Sequence, residues 1–126
     1  MNQTRIAGII MVALVLFGFS LNAAVRVKAN NTNDLAVWSS WVGSSIPYSS
    51  DIAQWDSTVT SANAVQLGGD MSFRGLSVVN PGGTVSIGGS HTLTIGGEGV
   101  VTRSTAGDLV FSNANFALLM YAGQIW

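Results

Sequence analysis

Three aspartates, Asp51, Asp56 and Asp70, and a single histidine, His91, are the side chains of this sequence best equipped for acid–base or metal chemistry. Carboxylates that bind Ca²⁺ or share catalytic work must converge in space. Laid over itself at a shift of twenty residues, the chain sets Asp70 over Ser90 and Asp51 over Met71, so no acidic ladder forms. Turn or capping roles are expected for all three. His91, in "GGSHTL", has no second histidine and no cysteine with which to share a zinc ion, and no activated nucleophile is indicated beside it. It reads as a solvated corner residue. "GGEGVV", Gly96 to Val101, has the glycine spacing of the calcium-binding nonapeptide, but Val101 stands where that motif needs aspartate and the motif does not recur. No phosphate-binding or dinucleotide-binding glycine loop occurs. No catalytic residue, metal site or cofactor is therefore expected.

The aromatic residues offer a different chemistry. Trp38, Trp41, Tyr48 and Trp55 fall within "WSSWVGSSIPYSSDIAQWDS", and indole faces suit the apolar faces of sugars. Trp38, Trp41, Tyr48 and Trp55 could together form a stacking platform for sugars, and Trp38, Trp41 and Trp55 are the candidate carbohydrate contacts. The competing reading, and the favoured one, is that tryptophans in such a leader plug the end of a coil, each burying about 150–250 Å². The Ser, Gly and Pro content of the segment reads as loop or irregular cap, with Ile52, Trp55 and Trp41 as its buried anchors. "NNT" at Asn30 would be a glycosylation sequon in a eukaryote.

From Ala64 onward the pattern turns to period two. Val65 and Leu67, Met71 and Phe73, Leu76 and Val78, Val85 and Ile87, and Leu93 and Ile95 each place two apolar side chains on one face of a short strand. Glycine-rich corners separate them, and Pro81 pre-sets one turn. The shift of twenty aligns "VQLGGDMSF" with "VSIGGSHTL": Val65 with Val85, Leu67 with Ile87, Phe73 with Leu93. Such a period suits one turn of a parallel β-solenoid, whose stacked rungs need matching inward residues. "DLVFSN", from Asp108, repeats the strand at a spacing nearer twenty-four, with Leu109 and Phe111 inward. A β-sandwich of antiparallel hairpins is the alternative.

With 126 residues the chain holds one domain at most, and only 9% of it is charged. "MNQTRIAGIIMVALVLFGFSLNAA" has one cation, then an apolar run from Ile6 to Phe19, then small residues. That is the layout of a secretory signal peptide, too short in its apolar core for a spanning helix. Cleavage is expected after Ala23 or Ala24, with Ala29 a further option; an uncleaved signal anchor is the alternative. Residues 25 onward carry four cations against six acids, which gives nucleic acid no basic patch to bind. Without cysteine the exported chain has no disulfides, so stability must come from stacked sheets. At the other end, "NFALLMYAGQIW" stops on an apolar run without a polar cap. The chain therefore reads as the amino-terminal portion of something longer, prone to edge-to-edge self-association near Leu118 to Ile125.

The run from Trp41 to Trp126 resembles the amino-terminal region of bacterial autotransporter-associated β-strand repeat proteins. Their "NWxGGxVP", "SDxAxWD", "GADTSxGGxxxxNPGGxVTI" and "NTLTLGxxGI" segments have counterparts at Trp41 to Pro47, Ser50 to Asp56, Gly68 to Ile87 and His91 to Val100. "GDLVFSNANFALLMYAGQIW" is similar to the family's "DLTLNxxLxLGAxQxW", although "FALLMYAG" replaces "LTLG". The resemblance implies a right-handed β-helix (a parallel β-solenoid) exported by a Sec-type route and secreted or displayed at the outer membrane, with a structural or adhesive role. The expected layout is a signal peptide at 1–24, a polar leader and tryptophan-rich cap at 25–63, and solenoid rungs at 64–126. Expected partners are a surface glycan or a host or envelope protein, with the membrane involved only through the signal segment. Asp70, Ser90, His91 and Glu98 are expected to face outward at corners. The alternatives are the amino-terminal part of a pectate-lyase-like polysaccharide-degrading enzyme, and a truncated product without a function of its own.

Overall fold

The structure is a computed structural model, and it describes residues 23–103, 105–112 and 117–120. The expected signal-peptide helix lies outside the described residues, as do Tyr121 to Ile125 of the expected self-associating edge.

Parallel strands wind into a β-solenoid of about four turns. Eight strands follow in chain order: β1 (Val25–Val27), β2 (Ile52–Trp55), β3 (Asn63–Gln66), β4 (Met71–Val78), β5 (Val85–Gly88), β6 (Thr92–Thr102), β7 (Leu109–Phe111) and β8 (Ala117–Met120). One sheet has the order β1-β2-β4-β6-β8 and the other β3-β5-β7. Every neighbouring pair of strands is parallel, which replaces the hairpin alternative. The strands begin earlier than the sequence pattern implied. β1 falls in the expected polar leader and β2 in the expected loop, because a parallel partner below each one outweighs weak local periodicity.

The larger sheet bends. Buried residues alternate along Met71 and Phe73, then change parity to Leu76 and Val78, so β4 turns a corner between Phe73 and Gly75 without breaking. Its partner β6 takes the same corner with more chain: only Arg74 separates Phe73 from Gly75, whereas Gly96, Gly97 and Glu98 separate Ile95 from Gly99. The extra residues form a bulge on the outside, closed by an Arg74–Glu98 ion pair at 3.1 Å.

The coil length differs from the repeat seen in the sequence. The columns at a shift of twenty, Val65 with Val85, Leu67 with Ile87 and Phe73 with Leu93, are not ladder partners. Val65 pairs with Ile87, Met71 with Leu93 and Phe73 with Ile95, a shift of twenty-two, and the later pairs Val85 with Leu109 and Ile87 with Phe111 show the expected twenty-four. The long ladder between β4 and β6 decides the register. At twenty-two it stacks Met71 on Leu93 and Phe73 on Ile95; at twenty, Ile95 would lie over Gly75, which offers no side chain. Because the error is an even number, every inward residue stays inward. Val65, Leu67, Phe73, Leu76, Val78, Val85, Ile87, Leu93 and Ile95 are all buried in one core.

Candidate functional site

The first coil is built on a side-chain network. Beneath the 3₁₀ turns Trp38–Ser40 and Val42–Ser44, Trp41 drops into the end of the coil, where it is 2% exposed. Its ring meets Trp55 edge-on at 5.8 Å between centroids and Phe73 at 6.2 Å, and its Nε1 donates to the Leu35 carbonyl at 2.8 Å. Trp55 Nε1 donates to Asn63 Oδ1 at 3.0 Å, Asn63 Nδ2 donates to the Asn31 carbonyl at 2.8 Å, and Asn31 Nδ2 donates to the Ser39 carbonyl at 2.8 Å. Lys28 completes the network. Its buried Nζ donates to the Ala29 carbonyl at 3.0 Å, the Asn31 carbonyl at 2.8 Å and Asn31 Oδ1 at 2.9 Å. Burial lowers the Lys28 ammonium from its ordinary 10.5 to about 8.

The structure thus separates the three tryptophans named as carbohydrate contacts. Trp41 and Trp55 are interior, so neither offers a face to a sugar; the plug reading fits both. Trp38 is 63% exposed on the cap, away from the other two indoles' buried positions. Ile52, expected to be a buried anchor, is only half-buried.

Two of the aspartates hold turns, and the third, Asp70, ties its corner to the next coil. Asp51 Oδ2 accepts the Tyr48 N–H at 3.0 Å, Asp56 Oδ1 the Thr58 N–H at 2.9 Å, and Asp70 Oδ1 the Thr92 N–H at 2.9 Å, each at a different corner. His91 stands beside Asp70, with Nδ1 3.5 Å from Oδ1. Asp70, Ser90, His91 and Glu98 are all outward, as their corner positions implied. Among the described residues, no three acidic or histidine side chains converge on a point that could hold a metal ion.

One concavity combines aromatic, apolar and polar walls. Between the loop that carries Ile46, Pro47, Tyr48 and Ser49 and the start of β4 lies a groove of about 410 Å³, floored by Met71 and edged by Asp70. Pro47 is buried, and a turn fixes its neighbour: Tyr48 N–H donates to Asp51 Oδ2, while the Asp51 N–H donates to the Tyr48 carbonyl at 2.9 Å. The Tyr48 side chain, by contrast, is 67% exposed.

Sequence reasoning passed over Lys28, Asn31 and Asn63. A signal existed for Asn63, which sits two residues before Val65 and so occupies an inward position of β3. Nothing in the spacing marks Lys28, whose cage is made largely of backbone carbonyls. No family profile, curated protein or solved structure matches the chain.

Proposed function

We propose that the chain is an exported, non-enzymatic β-solenoid with a structural or adhesive role at the bacterial cell surface. The observation that carries this reading is where the paired fold starts: β1 begins at Val25, directly after the apolar leader, and the Ile52 N–H already donates to the Ala24 carbonyl at 2.8 Å. A leader removed after Ala23 leaves that bond and the first coil whole. Removal after Ala29 would take away β1 and the buried Lys28, so the structure favours the earlier cut. Support for a non-enzymatic role comes from the aspartates: Asp51 and Asp56 hold local turns and Asp70 accepts from the next coil, each at a separate corner.

The test is production of the whole chain in a Gram-negative host, followed by fractionation and amino-terminal sequencing. The expected product lies outside the cytoplasm and begins at Ala24. A cytoplasmic product that retains Met1 would overturn the export reading, and a mature chain that begins at Asn30 would overturn the earlier cut.

A further inference from the structure

We propose that the groove beside Tyr48 is a binding site for a neutral oligosaccharide. The inference rests on the adhesive reading above, but the site differs from the tryptophans named from the sequence. Its volume of about 410 Å³ falls within the range of small-ligand sites, about 300–1,000 Å³. A pyranose ring presents an apolar C–H face and a rim of hydroxyls, and the groove answers both. Tyr48 supplies an exposed ring beside Ile46 and Met71. Its backbone is held by Pro47 and by the paired hydrogen bonds with Asp51, so stacking on it orders little chain.

The polar rim is equally prepared. Asp70, its side chain 78% exposed, accepts the Thr92 N–H at Oδ1 with the His91 ring 3.5 Å away, while Oδ2 receives no hydrogen bond from another described residue. That oxygen is open to accept a sugar hydroxyl, and charge-assisted bonds of this kind are the stronger ones. Ser49 and Ser72 line the same groove with hydroxyls that bond no other described residue. Among the described residues no lysine or arginine lines it and Asp70 is the one charged group, which selects against acidic sugars.

The test is isothermal titration of the purified exported chain with maltotriose, cellotriose, xylotriose and trigalacturonic acid. At least one neutral trisaccharide is expected to bind below about 10 mM. Tyr48→Ala should weaken that binding by about tenfold, and Asp70→Asn should weaken it as well, with far-UV circular dichroism showing both variants folded. Trp38→Ala should bind as the unaltered chain does. The proposal is overturned if no neutral trisaccharide binds, if Tyr48→Ala binds unchanged, or if trigalacturonic acid binds more tightly than the neutral sugars. Because the titration uses purified protein, its failure is distinct from failure of the export experiment.

Discussion

Between Lys28 and Asn63 the interior is tied together by side-chain hydrogen bonds: an ammonium in a cage of carbonyl oxygens, two asparagines, and two indoles whose N–H groups both find acceptors. From Val65 to Ile95 it is filled by aliphatic and phenyl side chains stacked rung on rung, and the backbone ladders supply the polar bonding. The two regions face different problems. An internal rung has a rung above and below, so repeating its residue types suffices. Among the described residues the first coil has a rung on one side only. It must close the end with bulk, and the backbone it bends inward must be satisfied individually.

That contrast can be broken at its largest element. Trp55→Ala removes a fully buried indole, the edge contact with Trp41 and the donor to Asn63, and is expected to cost about 3–5 kcal/mol in urea unfolding. An effect no larger than that of a single rung truncation would show that the end is not specially secured. The pH dependence sharpens the same point. Lys28 releases its proton at about 8 when folded and near 10.5 when unfolded, so between those values the unfolded chain binds more protons. Stability should therefore rise with pH across that window, by at most about 1.4 kcal/mol per pH unit for one proton. Lys28→Met should abolish this part of the slope; an unchanged slope would trace it to another group.

Within the rungs, Ile95→Val should cost about 0.5–1.5 kcal/mol, because it removes one methylene from a column in which Phe73 lies on one side and Met120 on the other. The smallest effect is expected at the bulge. A methyl group at Gly97 would meet nothing within 4 Å, and Gly97→Ala should change stability by less than about 0.5 kcal/mol. A large loss there would mean that the bulge is packed and not free.

The same division explains what could be read from the sequence. The rungs were legible because an aliphatic residue at every second position is a local pattern, and it survives a register error of two residues. The true register was not legible from "VQLGGDMSF" and "VSIGGSHTL", since the paired glycines sit at different points of the two coils: Gly68 follows Leu67 at a corner, whereas Gly88 ends β5 beneath Gln66. The burial of Trp41 and Trp55 was legible from residue type, but that type gave no sign that Trp38 would stay exposed. The Lys28–Asn31–Asn63 network was not legible, because its members are joined only once the first coil closes over the second, and Lys28 and Asn63 are 35 positions apart. The Tyr48 groove was hidden for a similar reason: its walls come from a loop and from a strand one coil later.

The outward bulge at Gly97 and Glu98 separates circumference from interior. Two residues enter the coil there while Ile95 and Val100 keep their places over Phe73 and Leu76. A solenoid with such a hinge can vary its perimeter from one turn to the next without rewriting the inward alphabet, and a graft spliced at Gly97 would be carried outside the cylinder as cargo.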